Sequence, residues 1–157
     1  LWYGDRQTSS FLLNLTLMIQ RIQTLWFLAA IVVLGLTFML ALYRSPDVRT
    51  YPNFYLGETV LGIICTAVTI LLTGYTLILF KNRKRQSTFG WLSIIAALGT
   101  FACLYLACEN YLETNQVVGG SYWFGLFMPL VSVVFIFLGL LGVRKDEKLI
   151  KSLDRLR

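Results

Sequence analysis

Residues 59–80 read TVLGIICTAVTILLTGYTLILF, and residues 81–87 read KNRKRQS. The first stretch carries no charge and is as long as the roughly 20 helical residues that cross a bilayer's hydrocarbon. The second places Lys81, Arg83, Lys84 and Arg85 directly at its end. Basic clusters beside apolar spans mark the cytoplasmic face. Together the two stretches predict a transmembrane helix that ends in the cytoplasm, and this fixes the class of the whole chain.

Working outward, three further spans are predicted. The first covers about 25–43 (LWFLAAIVVLGLTFMLALY), the third about 88–108 and the fourth about 122–143. Between spans one and two, RSPDVRTYPNFY carries Pro46 and Pro52, which break helices and favour turns. After span three, ENYLETNQVVGGS turns at Gly119 and Gly120. Composition agrees: apolar residues make up 57% of the 157, charged residues only 14%, and mean hydropathy is +0.68. Soluble domains carry about 25% charged residues. The expectation is an all-α integral membrane protein: an antiparallel four-helix transmembrane bundle (18–143) followed by a short C-terminal amphipathic helix (144–157).

Orientation follows from the basic residues. Arg6 and Arg21 precede span one; Lys81, Arg83, Lys84 and Arg85 lie between spans two and three; Arg144, Lys145, Lys148, Lys151, Arg155 and Arg157 follow span four. These twelve share one side of a four-span chain, against Arg44 and Arg49 on the other. Both termini are therefore expected in the cytoplasm. The net charge of +6 is read as topology and as attraction to anionic lipid headgroups, not as a nucleic-acid surface. From Arg21 onward, these basic residues are the candidate lipid-headgroup or partner surface.

Helices in lipid associate through close packing and hydrogen bonds at small residues. Span two offers Glu58, Gly62, Thr66, Thr69, Thr73 and Thr76, and span three offers Ser93, Ala96, Thr100, Cys103 and Ala107, all at three- and four-residue steps. Such spacing keeps one face aligned. The two stripes are expected to face each other, or the bundle centre, in an antiparallel hairpin. Span four adds Gly125, Pro129, Ser132 and Gly139, with a kink at Pro129; span one adds Ala30, Thr37 and Ala41.

Few residues suggest chemistry. Histidine is absent, which removes the commonest general base and metal ligand. Cys103 and Cys108 lie roughly 140° apart on a helix, poor geometry for a disulfide or a shared metal; Cys65, Cys103 and Cys108 read as packing residues. Glu109 and Glu113, one turn apart, are the acidic pair on the outer side, and an ion-pair cluster with Arg44 and Arg49 is expected there. No cofactor, metal or catalytic residue is assigned. No span carries a charge at its middle, which weighs against a proton-coupled transporter.

The tail RKDEKLIKSLDRLR places Leu149, Leu153 and Leu156 at helical spacing among charges, with Glu147 and Lys151 in the favourable order four apart. This tail and the opening MIQRIQTLWFLAA from Met18 resemble the two ends of a Bacteroidota membrane protein family catalogued as domain of unknown function 4293. The resemblance covers Met18 to Arg157 and implies four spans with cytoplasmic ends; it implies no activity, substrate or catalytic residue. It singles out Gln20, Arg21, Gln23 and 144–157, a hint of a shared cytoplasmic partner. Residues 1–17 (LWYGDRQTSSFLLNLTL) are not usual in that family and are expected to be an upstream extension outside the fold, with Met18 as the start.

The leading functional expectation is a non-enzymatic accessory or scaffold subunit whose cytoplasmic ends meet a protein partner or a second copy. The alternative is a small oligomeric transporter or channel with a polar crevice at Thr66, Thr69 and Thr73. A third is a membrane enzyme using Glu109 and Glu113.

Overall fold

The structure, a computed structural model, describes residues 23–46, 51–79 and 82–154, with the main chain alone for 146–154. The expected extension over 1–17, Met18, Gln20, Arg21, Arg49, Lys81, Leu156, Arg155 and Arg157, and the side chains of Leu149, Lys148 and Lys151, lie outside what is described. Among the described residues there are four α-helices: α1 (Gln23–Leu36), α2 (Val60–Ile78), α3 (Arg83–Asn115) and α4 (Phe124–Asp154). Helices α2 and α3, and the Phe124–Lys145 part of α4, are long and apolar enough to cross a membrane.

Helix α2 follows the expected 59–80 closely, because uncharged aliphatic residues fill it to both ends. Helix α3 extends beyond 88–108 on both sides. Hydropathy marks the part of a helix that prefers lipid, whereas its polar ends, RKRQ and ENYLETN, still propagate the hydrogen-bonded backbone. The same reason corrects the tail. It is not a separate short helix but the continuation of α4, unbroken to Asp154, since neither Gly nor Pro interrupts residues 143–154.

The expected helical span 25–43 also needs correction. Helix α1 ends at Leu36, and tight turns follow, in which the N–H groups of Thr37, Phe38 and Met39 bond carbonyls three residues back. The chain then extends into β1 (Tyr43–Arg44), which pairs antiparallel with β2 (Ser121–Tyr122), Tyr43 opposite Tyr122. On its other side Leu42 N–H bonds the Phe54 carbonyl at 2.8 Å, and Phe54 N–H returns to Tyr43 at 3.0 Å. The carbonyls of Ala41 and Leu42 take the N–H groups of Gly125 and Trp123, at 3.1 and 2.9 Å. A helix leaves its first N–H groups without intrahelical partners, and in or near lipid an unpaired group is costly. Segment 41–44 supplies those partners, which a continued helix could not do.

Between α3 and β2 the chain reverses through Gln116, in the left-handed region at φ 51°. Gly119 and Gly120 follow at φ 85° and 101°. At Gly120 a Cβ would also meet the Arg44 carbonyl oxygen at 2.7 Å, so the expected glycine turn is built against β1.

The helix pairs can be followed residue by residue. Along α2 and α3, Gly62 meets Leu104, Thr69 meets Thr100 and Thr76 meets Ser93. Along α3 and α4, Gly90 meets Leu140, Trp91 meets Phe137 and Phe101 meets Phe127. Along α1 and α4, Gln23 meets Gly142 and Phe27 meets Gly139, with Ala41 beyond α1 at Gly125. In each pair one residue number rises as the other falls. Two clusters form the core. One, at the end with the strands, gathers Leu42, Phe54, Leu56, Leu104 and Leu126; the other, toward the basic end, gathers Phe27, Ile94, Ile136, Leu140 and Val143.

Candidate functional site

The threonine stripe of α2 lies wholly inside. Thr66, Thr69, Thr73 and Thr76 are each 0% exposed, and Gly62 is buried on the same stripe. Their hydroxyls donate to carbonyls one turn back on the same helix: Gly62, Cys65, Thr69 and Leu72, at 2.8 to 2.9 Å. Across the interface Thr69 and Thr100 share a hydrogen bond at 2.8 Å, and Thr76 approaches Ser93 at 3.4 Å. Ser93 and Thr100 are buried on α3, while Ala96, Cys103 and Ala107 are half-buried. A polar ring of this kind, satisfied from within, packs two helices; it leaves no hydroxyl turned toward a water path on this face.

Two cysteines meet beside it. Cys65 Sγ lies 3.5 Å from Cys103 Sγ, whereas Cys108 is buried in the cluster with Tyr43 and Leu104. Cys103 and Cys108 therefore face different surroundings. The approach of Cys65 to Cys103 was missed in the sequence, although both lie within a turn of the Thr69–Thr100 contact.

At the strand end the acidic pair separates. The Glu109 carboxylate accepts the Tyr122 hydroxyl hydrogen bond, and Glu113 is exposed. Of the expected ion-pair cluster only the Arg44 part can be followed, Arg49 lying outside the described residues: Arg44 lays its guanidinium 4.9 Å from the centre of the Trp123 ring. Pairing β1 with β2 carries Arg44 toward Trp123 and gives Glu109 a phenol partner. Tyr43 donates to the Gly119 carbonyl, so one strand tyrosine ties β1 to the glycine turn and the other ties β2 to α3. The carboxylate beside it, and then burial, hold the Tyr122 hydroxyl above the usual phenol range, because each disfavours a phenolate. Burial first, and the nearby Cys108 second, raise Tyr43 in the same direction.

At the other end, Arg83, Lys84 and Arg85 open α3, and Arg144 and Lys145 lie on α4. Arg144 stands 5.4 Å over Trp91, which brings the α3 and α4 basic groups to the same end. Lys84, Arg85, Arg144 and Lys145 are exposed. Cations in the first turn of a helix oppose its dipole, so their placement on α3 answers to something outside that helix.

An open groove of about 520 Å³ lies between the start of α2 and the last turns of α3, under Phe54. Val60, Leu61, Cys103, Leu106 and Ala107 form its apolar part; Asn110, Tyr111, Thr114 and Asn115 continue it toward the strand end. Tyr111 is fixed there by a 2.9 Å hydrogen bond to the Pro52 carbonyl and by stacking on Phe54 at 4.5 Å. Sequence reading missed this groove, because it depends on the loop 51–58 folding back over α3.

Comparisons with curated proteins and with solved structures gave no match. The family described as Domain of unknown function (DUF4293) matches residues 19–156, which take in every described residue, and the chain belongs to that family.

Proposed function

We propose that the chain is an antiparallel four-span bundle of a bacterial inner membrane, with both termini cytoplasmic, acting as a non-catalytic accessory or scaffold subunit. The first helix counts as the fourth span on this reading. The stretch from Gln23 to Ala41 lies along α4 from Gly142 to Gly125, about 26 Å of helix axis at 1.5 Å per residue, close to the roughly 30 Å of a hydrocarbon core. The twelve-to-two distribution of basic residues supports the orientation.

The observation that carries the scaffold reading is α4. Its apolar part, Phe124–Lys145, continues without a break to Asp154. The nine residues beyond Lys145 extend the rod by about 13 Å, and the sequence places Leu149 and Leu153 one turn apart on it. A rod that leaves the membrane along its own axis presents that stripe to a partner. The closed threonine face supports the same reading over a transporter, which would need Thr66, Thr69 and Thr73 beside water.

The test compares the full chain with one truncated after Lys145, and with Leu149→Asp/Leu153→Asp, each purified from native membranes in mild detergent. A partner, or a second copy, is expected to accompany the full chain and be lost from both variants. Recovery of the full chain alone, as a monomer, overturns the scaffold reading.

A further inference from the structure

Cys65 and Cys103 stand on neighbouring helices with their sulfurs 3.5 Å apart. The packing around them holds this approach in register. The hydroxyls of Thr69, on α2, and Thr100, on α3, lie 2.9 and 3.2 Å from the Cys65 carbonyl oxygen. Helix α3 thus grips α2 at the residue that carries one of the thiols. Thr100 precedes Cys103 by one turn, on the same face of α3, so the grip also places the second thiol. Two thiols held this way are prepared for a sulfur–sulfur bond of about 2.05 Å. Cys108, in contrast, is sealed in the core cluster at the strand end.

The surroundings decide what can oxidise the pair. Both cysteines are half-buried, and Cys103 forms part of the wall of the open groove. Cys65 lies about 8 Å along the helix axis from Val60, the first residue of α2. One turn away from a cysteine, Leu61, Val68 and Leu106 are exposed. In a bilayer this apolar surface faces lipid, so an oxidant must arrive through lipid. Glutathione disulfide would have to carry its charges into the hydrocarbon, which is costly. A quinone is uncharged and dissolves there. It accepts two electrons and two protons, the number that two thiols release, and quinones drain electrons from protein dithiols in bacterial membranes.

We propose that Cys65 and Cys103 are a redox-active dithiol, oxidised to a disulfide by quinones dissolved in the bilayer. Cys103 Sγ, on the groove wall, bonds to a quinone ring carbon, and its proton passes to one quinone oxygen. Cys65 Sγ then attacks Cys103 Sγ. The sulfur–carbon bond breaks with its electron pair going to the ring, and the Cys65 proton passes to the second oxygen. The products are one disulfide, which ties α2 to α3, and one hydroquinone. This activity goes beyond the scaffold reading and rests only on α2 and α3 crossing the bilayer.

The experiment places the full chain, fully reduced and freed of reductant, in phosphatidylcholine liposomes. Decylubiquinone or glutathione disulfide is added without any metal catalyst. Quinone absorbance follows the reaction, and peptide mapping after thiol alkylation locates the product. One hydroquinone is expected per chain, with Cys65 joined to Cys103 and Cys108 still alkylated. Glutathione disulfide should act at least about tenfold more slowly, because its charges resist entry into the hydrocarbon. Cys65→Ser and Cys103→Ser should each abolish hydroquinone formation, whereas Cys108→Ser should leave it complete. An unmodified chain that reduces no quinone overturns the proposal, as does equal oxidation by glutathione disulfide. Hydroquinone formed at the unmodified rate by Cys65→Ser or Cys103→Ser also overturns it. A chain that does not insert into the liposomes overturns the membrane reading and this proposal together. The scaffold reading is tested on α4, which carries neither cysteine, so each of the two can fail without the other.

Discussion

The hydroxyls of Thr69 and Thr100 lie 2.8 Å apart across the α2–α3 interface, and both approach the Cys65 carbonyl, at 2.9 and 3.2 Å. One hydrogen-bonded knot thus joins two helices at a point where both side chains are sealed from solvent. Interhelical hydrogen bonds in lipid average about 0.6 kcal/mol and reach about 1.7. Thr69→Val and Thr100→Val are each expected to destabilise within that range. Because they share the bond, the double substitution should cost less than the two added together. Unfolding in mixed micelles measures all three, and strictly additive losses would mean that the two hydroxyls do not interact.

Glycines at two places should respond in opposite ways. A Cβ on Gly125 would press on the Ala41 and Leu40 carbonyl oxygens, the latter at 2.6 Å. Both are main-chain atoms, and neither can swing aside as the end of a side chain could. Gly125→Ala is expected to cost about 1–3 kcal/mol, the usual range for overpacking. Gly99, inside α3, has nothing within 4 Å of its Cβ position. Gly99→Ala should be neutral or stabilising by up to about 1 kcal/mol through helix propensity. Thermal unfolding of both variants in one detergent provides the comparison.

The 3.5 Å approach of Cys65 to Cys103 predicts a selective cross-link. A disulfide needs its sulfurs at about 2.05 Å, a shift that small rotamer changes in two half-buried side chains can supply. Molecular oxygen with a copper–phenanthroline catalyst should remove one hydrogen from each thiol and join α2 to α3. Peptide mapping is expected to find Cys65 linked to Cys103, with Cys108 still a thiol. A product that instead pairs Cys108 would contradict the helix register.

Tyr122 gives a pH dependence. Its hydroxyl titrates higher in the folded chain than the ordinary value of 10.0, so the folded state holds the proton more tightly. Stability from this group is complete below that ordinary value. It declines as pH rises from there toward the folded value, since the unfolded state then binds fewer protons. Tyr43 contributes in the same direction. Tyr122→Phe should flatten part of this alkaline decline, measured as unfolding midpoints at a series of pH values. A variant whose decline matches that of the unmodified chain would show that the bond to Glu109 is not made.

Much of this could be read in advance, and the physics says which part. In an antiparallel hairpin joined by a short loop, facing residues have numbers with a nearly constant sum. Thr69 with Thr100 and Thr76 with Ser93 share one sum, and Cys65 with Cys103 falls one short of it. The cysteine contact is therefore implied by the small-residue stripes, whereas the Cys103–Cys108 spacing along one helix carries no sign of it. The groove had no such signal. Its polar wall, Asn110 and Thr114, is ordinary loop-side composition until Tyr111 is pinned to Pro52 and the loop closes over it.

The sequence by itself determined the apolar, helical class, the family and the rough place of three helices long and apolar enough to cross a membrane, because the hydropathy of a side chain and the internal pairing of a helical backbone are local properties. Only the tertiary structure decided how the ends are built. Whether Ala41–Arg44 continues a helix or extends depends on the unpaired N–H groups of α4 and on Phe54, all distant in the chain. Whether Glu109 meets an arginine or a phenol depends on β1 lying beside β2. Those outcomes are set by partners that meet only after the helices have packed.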